Sequence, residues 1–232
     1  MASAGIRYTL GDGIGHITLI DWMGGDGPIV DRARKCYQSQ ERSTPESDAK
    51  LLTKLVGSKP LHGTTLRSTA MTFDVMAPLD IVFQWTRHLA GHEYAGMEAW
   101  YAGTDTIDIG GAFDQQSLRY VDVSSAQFYT PSADRFQFDR MWAAAIVGCM
   151  HHYQQLRSLG APKELARTFV PGCIYVQFEW SCNLQAFFDW YGKRATGGGA
   201  QWELTQYAEA AWDLVAQNVA PDACAAWKSS ER

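Results

Sequence analysis

Apolar residues recur along this chain with two periods, every second position in some stretches and every third or fourth in others. Residues 16–20 and 68–76 alternate; the second run sets Met71, Phe73 and Val75 against Thr72 and Asp74, which predicts strands. Residues 174–180 alternate likewise, and Phe128-Tyr129-Thr130-Pro131 reads as a strand end. Helical spacing predicts helices over about 28–37, over 45–57 with Leu51, Leu52 and Leu55 inward, and from Ala77-Pro78 onward with Leu79, Val82 and Phe83 inward. In that last helix Gln84, Arg87 and His88 share one face. Further helices are predicted over 133–159, 162–169, 183–191 and about 201–219. The last buries a stripe of Leu204, Tyr207, Ala208, Ala211 and Val215.

Glycines punctuate these elements. Gly11-Asp12-Gly13-Ile14-Gly15 precedes a strand, whereas a dinucleotide fingerprint follows one and opens a helix, so it reads as a turn. Gly24-Gly25-Asp26-Gly27, Gly160 and Gly197-Gly198-Gly199 mark further breaks. Residues 92–101 are compatible with a helix and 103–111 are not. With no internal repeat and no boundary, the irregular mixture of strands and helices predicts one α+β domain over residues 1–232.

Composition narrows the picture. The 232 residues are 46% hydrophobic and 19% charged, enough for a buried core, with a formal net charge of −5 that argues against bulk nucleic-acid binding. A small phosphate ester remains open, because a few well-placed arginines suffice. Nine tryptophans exceed what packing alone usually calls for, although core filling is the first role for most of them. No apolar run reaches a membrane-span length and no signal peptide is evident. The odd set of five cysteines, without CxxC spacing, predicts reduced thiols and a cytoplasmic location.

Candidate chemistry is sparse. His88, His92 and Glu93 lack the HExxH order of a zincin, and the adjacent His151-His152 cannot share a metal on one helix face, so no metal is expected. Cys173 reads as a core thiol ahead of a nucleophile. Ser117 has no nucleophile elbow around it and, if functional, donates to an anion. Arg87, Arg119, Arg167 and Arg194 each stand in a largely apolar setting; singly each reads as solvated or ion-paired, and together they suit an anionic ligand.

The chain resembles the flavin-dependent thymidylate synthases, whose signature is RHRxxSxNExSxRY. Its head appears as Arg87-His88-Leu89 and its tail as Asp114-Gln115-Gln116-Ser117-Leu118-Arg119-Tyr120, separated by an insertion at about 91–112. The likeness continues in Asp21-Trp22-Met23-Gly24, Leu61-His62-Gly63-Thr64-Thr65, Gly160-Ala161-Pro162 through Arg167 to Pro171, Trp180-Ser181-Cys182-Asn183, Arg194 and Gln201-Trp202-Glu203. It covers roughly residues 15–220.

The resemblance implies a twisted, largely antiparallel sheet flanked by helices, and a homotetramer whose sites combine residues of neighbouring subunits. It implies FAD as cofactor, NADPH as its reductant and methylenetetrahydrofolate as one-carbon donor for C5 of a uracil nucleotide. By the same resemblance His62, Thr64, Arg87, His88, Leu89, Asn183 and Asp189 contact the flavin. Gln84, Arg87, Gln115, Ser117, Leu118, Arg119, Arg167 and Arg194 bind the nucleotide, with Ser117, Arg119 and Arg167 nearest its phosphate. Arg194, Arg87 and Ser117 are the implied catalytic set, Arg194 lying against the uracil ring.

Departures from the family pattern are local. Leu89 replaces an arginine, Asp114-Gln115 an Asn-Glu pair, Arg67 a glutamate and Gly197-Gly198-Gly199 a histidine-bearing stretch; Asp189 stands where asparagine is usual. The interrupted signature is similar to the branch that methylates UMP or dUMP in nucleoside-antibiotic pathways. There Gln115 and the insertion are expected to admit a 2′-hydroxyl. Ordinary synthesis of dTMP from dUMP is the alternative, and a silent nucleotide- or flavin-binding relative ranks third.

Overall fold

A hairpin begins the fold. In this computed structural model, which describes residues 6–58, 62–86, 113–121, 123–132, 139–196 and 199–230, Ile6–Thr9 (β1) pairs antiparallel with His16–Met23 (β2). The intervening turn is tied by Leu10 N–H to Gly15 C=O at 2.8 Å and by the Asp12 carboxylate, which accepts from the amides of Ile14 and Gly15. The turn expected at 11–15 is therefore present, and β1 is an added strand.

Gly24 and Gly25, at φ +91° and +120°, turn the chain into Asp26–Cys36 (α1). A side chain on Gly24 would meet Thr69 Cα at 2.8 Å, so glycine suits both conformation and space. Thr44 and Ser47 form a reciprocal capping box at the start of Pro45–Gly57 (α2), at 3.2 and 3.0 Å. The short helix Gly63–Leu66 (α3) leads to Ala70–Pro78 (β3), and Leu79–Thr86 (α4) follows directly. Then come Phe113–Gln115 (β4), Asp139–Ser158 (α5) and Lys163–Ala166 (α6), which tightens into a 3-10 turn over Arg167–Phe169. Tyr175–Asn183 (β5), Leu184–Tyr191 (α7), a π-helical bend over Gly192–Thr196, Trp202–Asn218 (α8) and Pro221–Ser230 (α9) complete the chain.

The sheet order is β1-β2-β3-β5-β4, antiparallel throughout, so the α+β expectation holds. The strand period sorts its faces. Ile17, Leu19, Met71, Phe73, Val75, Phe178 and Trp180 are buried in one continuous core with the helices. Thr72, Asp74, Gln177, Glu179 and Ser181 alternate onto the other face, half-buried or exposed. A bulge between Leu19 and Asp21 shifts the register, setting the Asp21 position opposite Thr72 on the polar face rather than opposite Met71.

Several expectations change. Ala77-Pro78 ends β3 instead of opening α4, because both residues continue the ladder with Val176 and Tyr175. Phe83 is 56% exposed; Ile81, Val82 and Trp85 form the inward face of α4. Asn183 ends β5 and caps α7, its Oδ1 accepting from Ala186 N–H at 3.0 Å. Leu165 and Phe169, apolar residues of the helix predicted over 162–169, are exposed. The start expected for α5 at 133 and the 91–112 insertion lie outside the described residues. The unanticipated α9 is held by a remote cap: the Asp26 carboxylate accepts from the amides of Asp222 and Ala223 at 2.9 and 3.0 Å.

Between α1 and α2, buried Arg34 donates to Asp48 and Ser47, each at 2.7 Å. The Ser43 hydroxyl first, and then Arg34, hold the Asp48 carboxyl below the usual carboxylate range. A depressed folded-state value stabilises above the unfolded one and is lost as pH falls through the folded one. The gap in melting temperature between wild type and Asp48→Asn is therefore expected to be full near about pH 7 and to shrink toward about pH 3. A pH-independent gap would contradict this.

Candidate functional site

Trp85 is where the interior meets the site. Fully buried, its ring lies 5.2 Å from Phe178, 5.3 Å from Trp180, 4.6 Å from Trp190 and 5.9 Å from Tyr207. These contacts fix the rotation of α4 against β5, α7 and α8. The adjacent Gln84 is thereby held at the half-buried rim of the helical layer. Its carbonyl accepts from the Arg194 guanidinium, and its side-chain amide donates to Gln201 Oε1 at 2.5 Å. Arg194 is carried there by the π-helical bend after α7, a geometry that often marks functional positions. Thr205 fastens that bend by donating to the Arg194 carbonyl at 3.1 Å. Two of the expected nucleotide residues, 110 positions apart in sequence, are thus in contact.

The tail of the signature lies at the sheet edge. Gln115 is opposite Phe178 in the β4–β5 ladder, and the Phe113 ring packs 4.8 Å from Phe178. The chain then turns, with Tyr120 N–H donating to the Ser117 carbonyl and Arg119 N–H to Ser117 Oγ at 3.3 Å. Leu118 packs against the core, and the Arg119 guanidinium lies 5.2 Å from the Tyr120 ring centre. Lys163 Nζ donates to the Tyr120 carbonyl at 3.2 Å. Arg167, exposed, follows Lys163 by one helical turn.

A groove of about 310 Å³ beside this edge is lined by Asp74, Asp114, Gln115, Gln116, Gln177 and Glu179. Glu179 is opposite both Asp74 and Asp114 in the ladders, so three carboxylates share neighbouring strands. Such a groove repels an anion, which favours the Arg119 end for a phosphate.

A second groove, about 410 Å³, opens where β2 ends, β3 begins and β5 ends. Asp21, Trp22, Met23, Arg67, Thr72, Ser181 and Asn183 line it. Trp22 and Met23 leave 39% and 62% of their surface exposed, apolar surface of the kind that lines ligand sites. Arg67 Nε donates to Gln185 Oε1 at 2.8 Å, and Gly63 packs so closely on Gln185 that a Cβ there would collide. His62 and Thr64 are exposed on and before α3, next to Arg67. Asp189 lies six residues along from Asn183 and does not line the groove; burial pushes its carboxyl up, against an opposing pull from Lys193. Arg87, His88 and Leu89 lie outside the described residues.

Sequence reasoning missed Gln201, Lys163, Trp22 and Gln185 as site neighbours. Gln201 and Trp22 fall within family-like segments, and Lys163 precedes Arg167 by a helical turn; Gln185 carries no comparable signal. Among the described residues no group of three or more His, Cys, Asp and Glu could hold a metal ion. Cys173 is buried, and desolvation first, then Asp80, push its thiol up to about 11, which suits a core residue. Cys224 is pushed up to about 12 by burial, then by Asp26. At about pH 7.5 an alkylating reagent is therefore expected to modify exposed Cys36 and to spare Cys173 and Cys224 until unfolding, as read by peptide mass spectrometry. Rapid labelling of Cys173 in the folded protein would contradict the core assignment.

Comparison with known proteins adds independent findings. The family described as thymidylate synthase complementing protein matches residues 18–222. A flavin-dependent thymidylate synthase of Thermosipho africanus is 29% identical over 213 residues, covering 84% of this chain and 82% of the relative. That of Treponema pallidum is 29% identical over 223 residues, covering 94% and 70%. The structure of the UMP/dUMP methylase PolB from Streptomyces cacaoi bound with 5-Br dUMP superposes with a TM-score of 0.74 at 22% identity, covering 92% of this chain and 94% of that one. The same protein bound with 5-Br UMP gives a TM-score of 0.72.

Proposed function

The chain belongs to the thymidylate synthase complementing protein family, and we propose that it is a flavin-dependent enzyme methylating C5 of a uracil nucleotide, UMP and also dUMP, in the making of a nucleoside antibiotic. FAD, NADPH and methylenetetrahydrofolate are the proposed cofactor, reductant and one-carbon donor. Bound FAD supplies the hydride chemistry; the protein binds, orients and polarises. The observation that carries this reading is the contact of Arg194 with Gln84 on a chain matching the family across residues 18–222.

Arg194 and Gln84 are proposed to hold the uracil ring. The fixed cation draws electron density toward the ring carbonyls and so activates C5, without reorganisation during the reaction. Ser117, Arg119 and Arg167 bind the phosphate, and Gln115 and Leu118 line the sugar side. No cysteine nucleophile is used, in keeping with the raised, buried Cys173 thiol. The larger groove suits part of a flavin: Trp22 and Met23 offer a stacking surface, Thr72, Ser181 and Asn183 hydrogen bonds, and Arg67 a positive charge. His62, Thr64, Arg87, His88, Leu89 and Asp189 are proposed to complete that site across subunits. A homotetramer is supported by α5, a 20-residue helix exposing Met141 and Val147 at 76% and 68%.

The names of the curated relatives favour a second reading, synthesis of dTMP from dUMP alone. The two separate on incubating the purified protein with FAD, NADPH, methylenetetrahydrofolate and either UMP or dUMP. Methylated product from both is expected. Product from dUMP alone would contradict the ribonucleotide reading and leave ordinary thymidylate synthesis; product from neither would leave a silent binding protein.

A further inference from the structure

Tyr120 ties the loop after β4 to its cationic neighbours. Arg119 lies over its ring, 5.2 Å from the centre, and Lys163 holds its carbonyl at 3.2 Å. Lys163 and Arg167 are four apart across α6 and the turn that follows, so they share a face. Arg119, Lys163 and Arg167 therefore gather at one edge of the molecule. Among the described residues none of the three is paired with a carboxylate; the ion pairs formed there are Arg34–Asp48 and Arg42–Glu41. The nearby groove already holds Asp74, Asp114 and Glu179, which disfavours an anion there and leaves the Lys163 edge as the place where negative charge is stabilised.

We propose that Lys163 is a further phosphate-binding residue of the nucleotide site, acting beside Arg119 and Arg167; this rests on the reading of the chain as a uracil-nucleotide methylase. An ammonium group has three donors. One is spent on the Tyr120 carbonyl, which fixes the side chain and the loop together, and two remain for phosphate oxygens. The same hydrogen bond that orders the loop thus aims the amine, and a nucleoside monophosphate gains a charge-assisted contact that a nucleoside cannot make.

The test is equilibrium binding by the full-length, FAD-loaded protein of UMP and dUMP, and of uridine and deoxyuridine, in wild type, Lys163→Met and Lys163→Arg. Wild type is expected to prefer the monophosphates. Lys163→Met is expected to weaken monophosphate binding by about tenfold or more beyond any loss it causes in nucleoside binding. Lys163→Arg is expected to restore most of the loss, because a cationic donor returns. A loss shared equally by monophosphates and nucleosides would overturn the proposal in favour of a purely structural clamp, as would no loss at all. A wild type without preference for the phosphate-bearing ligand would overturn the nucleotide reading itself, and the Lys163 assignment with it.

Discussion

The packing of one indole sets the geometry of the contacts that Gln84 makes with Arg194 and Gln201. Trp85 is fully buried among Phe178, Trp180, Trp190 and Tyr207, drawn from β5, α7 and α8. Removing so large a side chain from a packed core typically costs about 3–5 kcal/mol, so α4 has little freedom to rotate or slide. Because Gln84 is its neighbour, that restraint passes directly to the carbonyl that receives Arg194 and to the amide that meets Gln201. The buried rings around Trp85 thus form the frame, and the polar rim of the helical layer is what they position.

Charge is arranged around that frame with equal consequence. The open sheet face carries Asp74, Asp114 and Glu179 in register, whereas Arg119, Lys163 and Arg167 are collected where the edge strand leaves the sheet. In the proposed reading the nucleotide's anionic end lies at the Arg119 edge, away from these carboxylates. The third region, at the ends of β2, β3 and β5, is of another character, with exposed Trp22 and Met23 beside Arg67. The proposed function gives these three regions a common purpose, and it calls for neither a metal nor a reactive thiol from the protein.

How far the sequence was legible follows from the range of the forces involved. Alternation identified β3 and β5, and the glycine turn before β2, because those signals are local. The same local view chose Phe83 over Trp85 as an inward residue of α4; what buries Trp85 is the ring cluster, which includes Trp190, more than a hundred residues further along the chain. The bulge after Leu19 is a property of pairing with β3, and α9 depends on a cap supplied by Asp26 from the other end of the chain. Site residues were named from resemblance, residue by residue, and the structure brings Gln84 to Arg194 while leaving Asp189 away from the groove of Asn183. Gln201 and Lys163 escaped notice because their contacts, to Gln84 and Tyr120, cross sequence separations that no periodicity encodes.

The most direct measurement is a single turnover. The protein, loaded with FAD and reduced under anaerobic conditions, is mixed with methylenetetrahydrofolate and UMP, and oxidised flavin and C5-methylated nucleotide are quantified together. Equal amounts of the two are expected, since each methyl group formed consumes one reduced flavin. Reoxidation of the flavin without methylated product, or methylated product with the flavin still reduced, would contradict the assignment of this chain as a flavin-dependent uracil-nucleotide methylase.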